Sequence, residues 1–329
     1  MRHFIAIISV VSLLVIGCGG GENLSEKFEA EGFTLKIEAY PGSMDRSDCS
    51  RLIREVGARF QETLGEILGQ DGELAKLNRE RGPLQVSPEF YNVLNDALTL
   101  EEATRNGWNY QFGGVYDLYA PDQENSPPLP SDIAIELDKA HDTKLVLMEG
   151  DRVSLEGEGT IRLSTFVLGW AIDQAADVLK GGGIKTCKLT TGMMSTFWGD
   201  TEKDTGWVFT IDRPDEKEYS YTLSPDDGSL CMIYISTANI ENKTHQKYLI
   251  LDPETGEPVN NLLFTAAWGS SSTTALAYAE ALHVMGRPEG MEWVSNIDSV
   301  GAFVMFSSGE EKLVESDPTM SPWVEMYLP

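Results

Sequence analysis

Apolar and polar positions alternate with two different periods along the chain, and each period predicts its own kind of element. Phe33–Tyr40 alternates apolar and polar side chains, which predicts a half-buried strand. Residues 49–68 carry apolar side chains three or four positions apart, which predicts an amphipathic helix. A second helix is predicted over 88–106, because Ser87 is a good N-cap and Pro88 suits the first helical position.

The middle of the chain adds further elements. A helix is predicted over 132–140, a hairpin over 145–148 and 152–155, and another helix over 170–179 that ends at three glycines, 181–183. Residues 120–130 are rich in proline and polar residues, which predicts a surface loop and places the boundary between two lobes there.

The N-terminus has the layout of a secretory signal. A short basic start precedes an apolar run over 4–16, too short to span a bilayer, which needs about 20 residues. Small Gly17 stands before Cys18, which resembles a bacterial lipobox. We expect a signal peptide over 1–17, lipid on Cys18, a tether over 18–30 and a folded domain over 31–329. The alternative is an ordinary signal peptide with an incidental cysteine.

Composition and charge narrow the class of protein. With 41% hydrophobic and 23% charged residues, the chain has globular composition. The formal net charge of −27 argues against nucleic acid as a partner, because phosphates would be repelled. Beyond Cys18, Cys49, Cys187 and Cys231 are odd in number, so at most one disulfide forms among them, and their spacing matches no zinc motif.

The most informative segment is Asp252-Pro-Glu-Thr-Gly-Glu-Pro-Val259, which follows an apolar run over 248–251. Its prolines, Thr255 and Gly256 are turn residues, so a buried strand is expected to end here in a polar loop that carries a carboxylate and a hydroxyl. Read alone, the segment is also explained as a β-turn without a binding role.

In order and spacing, this turn and the alanine-rich run 275–286 resemble the family of FAD:protein FMN transferases. These are bacterial envelope lipoproteins that split FAD and attach FMN to a protein threonine. The similarity extends over about residues 33–309, and includes Ser87-Pro88-Glu89 and the run 207–214. It implies FAD and Mg²⁺ as cofactors, a flavin-acceptor envelope protein as partner, and lipid anchoring facing the periplasm or exterior.

The resemblance also implies the architecture and the site. We expect an α+β fold with long helices packed against mixed or antiparallel sheets in two closely associated lobes. Asp252 and Glu280 are candidate ligands for Mg²⁺, although Glu280 is equally explained as a solvated helix residue and Asp252 as a turn acceptor. The residues that the resemblance places at the flavin are Gly169, Gly192, Asp252, Thr255 and Gly256.

Several positions depart from the family pattern. Leucine stands where the family has a lysine, a histidine and a metal-binding aspartate, at Leu168, Leu249 and Leu276 respectively. Met193 replaces a glycine, and Glu280 replaces a threonine. Catalysis is therefore predicted to be weakened or lost. Three classes remain open: an active transferase with a rebuilt site, a non-catalytic flavin-binding or protein-binding lipoprotein, and an interaction protein without a ligand.

Overall fold

The computed structural model describes residues 23–119, 127–200, 207–212, 220–223, 227–234, 249–259, 262–286, 288–307, 314–318 and 324–327. The predicted signal peptide and Cys18 lie outside these residues. In the part of the chain that is described, no helix is both long enough and apolar enough to cross a membrane.

Helices and strands follow one another in the order expected for an α+β protein. The helices are α1 Arg46–Leu68, α2 Glu73–Glu80, α3 Pro88–Ala103, α4 Gly113–Leu118, α5 Pro130–Asp142, α6 Ser164–Gly181, α7 Ser272–Met285 and α8 Glu289–Val294. The strands are β1 Leu24–Ala30, β2 Phe33–Tyr40, β3 Leu84–Gln85, β4 Lys144–Met148, β5 Arg152–Glu156, β6 Thr186–Thr191, β7 Met194–Trp198, β8 Phe209–Asp212, β9 Ser220–Leu223, β10 Gly228–Tyr234, β11 Leu262–Gly269, β12 Gly301–Ser307, β13 Val314–Pro318 and β14 Val324–Tyr327.

One large sheet organises the molecule. Its eight strands lie in the order β1-β2-β6-β7-β10-β11-β12-β13, and two three-stranded sheets, β14-β9-β8 and β3-β5-β4, accompany it. Every strand pair within the described residues is antiparallel. The prediction of an α+β fold with long helices on antiparallel sheets is confirmed.

The large sheet is covered on both faces. On one face, α1, α6 and α7 pack over it and enclose the main hydrophobic core. On the other face, Phe197, Phe264 and Phe303 pack against Phe209 and Ile211 of the β14-β9-β8 sheet. Because α7 lies between α6 and the strands β10 and β11, nearly all of its side chains are buried.

Local sequence signals account for several elements. Asp45 caps α1 by accepting a hydrogen bond of 2.8 Å from the Ser47 backbone N–H, and α1 buries the apolar face expected from its periodicity. Ser87 caps α3 as predicted, with its hydroxyl accepting from the Phe90 N–H at 3.1 Å. The hairpin predicted over 145–148 and 152–155 is present as β4 and β5.

Three expectations need correction. The predicted tether, 18–30, overlaps β1, whose residues all pair with β2. The helix predicted to start at 170 begins at Ser164, because the apolar run before 170 is itself buried in the helix interface. In 249–251, the described part of the strand predicted over 248–251, there is one isolated bridge, between Leu251 and Pro258. The elements on either side of the 120–130 loop, α4 and α5, pack against each other. The lobe boundary placed at that loop stays a prediction, since residues 120–126 lie outside the described residues.

Candidate functional site

The turn at Asp252 is held by its own hydrogen bonds. Asp252 Oδ1 accepts from the backbone N–H groups of Glu254 and Thr255 at 2.7 and 3.1 Å. The Asp252 carbonyl accepts from the Gly256 N–H at 2.8 Å. Thr255 is exposed, and its hydroxyl accepts from the Glu257 N–H at 3.3 Å. The carboxylate and the hydroxyl that the sequence singled out therefore both stabilise the turn.

The same turn is fixed against α4 and α5. Tyr119 donates its hydroxyl to the Gly256 carbonyl at 3.1 Å, and His141 Nε2 donates to the Pro253 carbonyl at 3.0 Å. Gly256 has a φ of 67°, and a Cβ there would lie 2.7 Å from Ile133 Cγ2. Gly256 is therefore required for close packing, since both its φ and its lack of a side chain are used.

Gly169 lies where α6 meets the first turn of α7. An added Cβ would make ordinary contacts of 3.4 Å with Met194 and with the backbone of Ser272 and Thr273, so this position faces packed protein. One turn later, Asp173 accepts from the Ser272 N–H at 2.6 Å and from the Thr273 N–H and hydroxyl at 3.2 and 3.1 Å. Burial raises the pKa of Asp173 to about 6, although these hydrogen bonds act in the opposite direction.

Gly192 and Met193 form the two-residue turn between β6 and β7. Gly192 has a φ of 49°, which suits the first position of such a turn, and it is exposed. The Met193 carbonyl accepts from the Met232 N–H at 2.8 Å. The side chain of Met193 lines a cavity, and this cavity brings the turn next to α7.

That cavity, of about 40 Å³, lies where the segment before α6, the β6–β7 turn, α4 and α7 meet. It has room for about three water molecules. Its walls combine aromatic, polar and charged groups with the chain just before the Asp252 turn. The residues lining it are Trp108, Asn109, Tyr116, Arg162, Thr165, Phe166, Met193, Leu249, Ile250 and Glu280.

Two opposite charges face this cavity. The guanidinium of Arg162 lies 4.4 Å above the centre of the Tyr116 ring. Glu280 comes from α7. Burial raises the pKa of its carboxyl group to about 7, although the charge of Arg162 acts in the opposite direction. Burial likewise raises the pKa of Tyr116 well above its usual range. The pocket is therefore a partly dehydrated site with the exposed cation of Arg162 at its edge.

The donor set around Glu280 does not fit Mg²⁺. That ion prefers about six hard oxygen ligands, several of them water, together with carboxylates. Here the Arg162 cation acts on the same carboxyl group, and Leu276, one turn earlier on α7, is wholly buried. Asp252 is absent from the cavity walls, and the described residues contain no group of three or more His, Cys, Asp or Glu side chains suited to a metal ion.

The leucines at the departing positions belong to the packed interior. Leu276 and Leu168 are 0% and 3% exposed within the main core, and Leu249 is half-buried in the cavity wall. His283 is buried on α7, where its Nδ1 is hydrogen-bonded to the Thr265 hydroxyl at 2.8 Å. Burial lowers the pKa of His283 to about 4, so its ring is neutral near pH 7. Cys49, Cys187 and Cys231 are buried free thiols.

Of the predicted site residues, Glu280 lines the cavity, whereas Gly169, Asp252, Thr255 and Gly256 are absent from its walls. Gly192 is also absent from the cavity walls, but its neighbour Met193 is part of them. The sequence analysis missed Trp108, Asn109, Tyr116 and Arg162. No local motif marks them. Arg162 is a single charged residue just before the apolar start of α6, and a search of the sequence for isolated charges would find it.

Comparison with known proteins bears on the whole chain. The ApbE family model matches residues 32–304. The FAD:protein FMN transferase of Vibrio cholerae is 25% identical over 309 residues, which cover 88% of this chain and 90% of that protein. The FAD:protein FMN transferase of Haemophilus influenzae is 21% identical over 255 residues, covering 73% of this chain and 72% of that protein.

Solved structures show the same fold. The flavin transferase ApbE from Vibrio cholerae superposes with a TM-score of 0.76 at 21% identity, covering 92% of this chain and 99% of that one. The ApbE protein from Thermotoga maritima superposes with a TM-score of 0.73 at 17% identity, covering 89% of this chain and 96% of that one.

Proposed function

The chain belongs to the ApbE family, and from this premise we propose that its cavity is the site of a flavin nucleotide such as FAD, with transfer of FMN to a protein acceptor weakened or lost. The names of the curated relatives support the FMN-transferase type. The cavity walls support a flavin, because Trp108 and Phe166 present aromatic surface beside the cation of Arg162.

The observation that carries the loss of transfer is the packing of the three leucines. Leu168 and Leu276 fill the core where the resemblance implies a lysine and a metal-binding aspartate, and Leu249 lies in the cavity wall where it implies a histidine. An alkyl side chain can neither ligate a hard cation nor transfer a proton. Losing one preorganised group of this kind commonly lowers a rate by about 10²–10³. With three such groups missing, we expect activity near background.

Size gives a second reason. A cavity of about 40 Å³ is far smaller than a flavin ring system, so the ring enters only if wall side chains such as Met193 or Trp108 change rotamer. Part of the binding free energy is then spent on that rearrangement. This supports weak binding, and it also favours the second candidate, an interaction lipoprotein on the same scaffold that binds another envelope protein without a flavin.

We further propose that the protein is a lipoprotein of the bacterial cell envelope, anchored through Cys18 and facing the periplasm or exterior. The support is the order of a basic start, a short apolar run, Gly17 and Cys18. In this arrangement the partner is a flavin-acceptor envelope protein, and the net charge of −27 argues against nucleic acid.

The test of transfer is incubation of the soluble domain with FAD, Mg²⁺ and an acceptor protein that carries a flavinylation threonine, read by in-gel flavin fluorescence. The Vibrio cholerae relative serves as the positive control. We expect labelling slower than that control by at least about 10³-fold. Labelling at the control's rate would refute the loss of transfer. A domain that gains no thermal stability from FAD would favour the interaction lipoprotein.

A further inference from the structure

Arg162 brings a positive charge to the wall of the cavity. Its backbone N–H donates to the Tyr110 carbonyl at 2.8 Å, which fixes the chain just before α6. The centre of its guanidinium lies 4.4 Å from the centre of the Tyr116 ring. Within the described residues, this guanidinium makes neither a hydrogen bond nor an ion pair closer than 4.0 Å.

Stacking leaves the useful part of the side chain available. A ring contact occupies one face of the guanidinium plane, whereas the five N–H donors point outward within that plane. The carboxyl groups of Glu280 and Asp117 feel the charge of Arg162 without pairing with it. The N–H fork therefore remains ready for an anion that has two oxygens to offer.

We propose that Arg162 binds a phosphate group of the nucleotide directly, so that the cavity takes a phosphorylated flavin without a divalent cation. The proposal rests on the proposed flavin site and adds to it how the phosphate charge is neutralised. Trp108 and Phe166, whose ring centres are 4.7 Å apart, form the apolar wall for the ring system. The guanidinium on Tyr116 lines the same cavity and then meets the phosphate end.

The same geometry disfavours a metal ion at this place. A divalent cation bound by Glu280 would share the cavity with the guanidinium, and like charges repel more strongly in a partly dehydrated site than in water. Arg162 instead offers a charge that needs no ligands of its own. It replaces the metal in holding the nucleotide, but it does not restore the chemistry of the missing groups.

The experiment compares three ligands that share one ring system and ribityl chain: riboflavin has no phosphate, FMN has one, and FAD adds an adenylate to FMN. Their dissociation constants for the soluble domain are measured by flavin fluorescence or calorimetry, once with EDTA and once with Mg²⁺. We expect FMN and FAD to bind in EDTA within about twofold of their affinity in Mg²⁺. Arg162→Gln should weaken FMN and FAD by about tenfold to hundredfold, as for a lost charge-assisted hydrogen bond, and leave riboflavin within about threefold.

Two variants keep this test sharp. Arg59→Gln removes an arginine of α1 that lies 3.7 Å from Glu89, outside this cavity, and should change none of the three affinities. Arg162→Lys keeps the charge without the fork, and should fall between wild type and Arg162→Gln. The lysine variant also serves if the glutamine variant fails to fold, which a thermal melt reports.

Three outcomes would overturn the proposal. FMN and FAD binding that requires Mg²⁺ removes the metal-independent step while leaving the flavin site intact. Equal losses for riboflavin and FAD in Arg162→Gln, or in Arg162→Lys if only that variant folds, show that Arg162 supports the fold and not the phosphate. Failure of all three flavins to bind the wild-type domain removes the flavin site itself, and the present inference with it.

Discussion

The carboxyl group of Glu280 faces a cavity beside a fixed cation, while one oxygen of Asp252 accepts two backbone hydrogen bonds within a turn. At the scale of single residues, these surroundings decide what each group can do. Asp252 keeps the turn in shape, and His141 and Tyr119 hold that turn against α4 and α5. Burial raises the pKa of Glu280 to about 7, so near pH 7 both its neutral and its charged form are present.

Glu280 makes the stability of the protein depend on pH in a definite direction. Burial raises its pKa from 4.5 to about 7, so the folded chain holds this proton more tightly than the unfolded chain. The stability it contributes is present below pH 4.5 and is lost as the pH rises through 7. Since the side chain keeps some exposure, we expect Glu280→Gln to gain about 1–2 kcal/mol relative to wild type between about pH 5 and pH 8.

Urea unfolding of both proteins at the two pH values measures this gain. Glu289→Gln, at an exposed position of α8, is the matched control and should show no pH-dependent difference. If Glu280→Gln differs from wild type by the same amount at both pH values, Glu280 does not titrate in this range.

Gly256 gives a prediction about packing. Gly256→Ala places a Cβ 2.7 Å from Ile133 Cγ2 and 3.3 Å from Val115 Cγ1, at a φ of 67°. We expect a loss of about 2–4 kcal/mol in the free energy of unfolding, from overpacking and an unfavourable φ together. Gly150→Ala, in the β4–β5 turn, has a φ of 74° and nothing within 4 Å, so its loss should be near 1 kcal/mol. Equal losses in thermal melts would mean that the contact with α5 is unimportant.

At the scale of elements, α7 carries Glu280 and is fixed at its first turn by α6. The Ser271 hydroxyl caps the helix by accepting from the Thr274 N–H at 3.1 Å, and Asp173 accepts from the first two N–H groups of the helix, those of Ser272 and Thr273. The carboxylate also complements the positive end of the helix dipole. The crossing of α6 and α7 thus determines where Glu280 faces the cavity.

Removing this carboxylate should therefore loosen the helix. Asp173→Ala leaves two buried N–H groups and the Thr273 hydroxyl without their acceptor, and we expect a loss of about 2–3 kcal/mol in stability. Asp177→Ala, one turn further along α6 and exposed, is the control and should stay within about 0.5 kcal/mol of wild type. A thermal melt in which both variants shift equally would contradict the capping role.

Elements with a complete local signal could be predicted from the sequence. Phe33–Tyr40, α1, α3 with its Ser87 cap, and the β4–β5 hairpin each have a period or a turn residue that needs no distant partner. β1 was missed because its sequence carries no clear strand signal of its own. It becomes a strand by pairing with β2. The strand predicted over 248–251 was wrong because an apolar run is buried equally well in irregular chain.

The site was less predictable than the fold for a related reason. Glu280 could be found because it stands in a recognisable helix. Trp108, Tyr116 and Arg162 are brought to one cavity only by packing between α4, the segment before α6, and α7, and nothing in their local sequence marks that meeting. Gly256 is needed small for close packing, which the sequence alone does not distinguish from close approach to a ligand.

At the scale of the whole molecule, the large sheet is a platform with helices on one face and the β14-β9-β8 sheet on the other. The cavity lies at the edge of the helical layer. Every element that lines it also contributes to the packed interior. Leucine at positions 168 and 276, where the resemblance implies polar groups, fits this arrangement, because both side chains extend the main core.

The proposed anchoring is a property of the entire protein and is tested as such. Cys18→Ser should abolish lipid attachment and release a folded protein into the soluble fraction, because a single lipidated residue is the proposed membrane signal. Fractionation of cells after a salt wash measures this, with the wild-type protein in the membrane fraction as the control. A Cys18→Ser protein that still sediments with membranes would contradict the lipoprotein proposal.

The order of strands in the large sheet also bears on how the protein is made. β2 pairs with β1 directly before it and with β6, which follows about 150 residues later, and every helix from α1 to α6 lies between them. An isolated two-stranded hairpin is barely stable in water. During synthesis, the first hairpin therefore has to wait with one edge open until the middle of the chain has emerged. The charged side chains of Glu26, Lys27 and Glu29 on β1 disfavour pairing of its other edge with a second nascent chain.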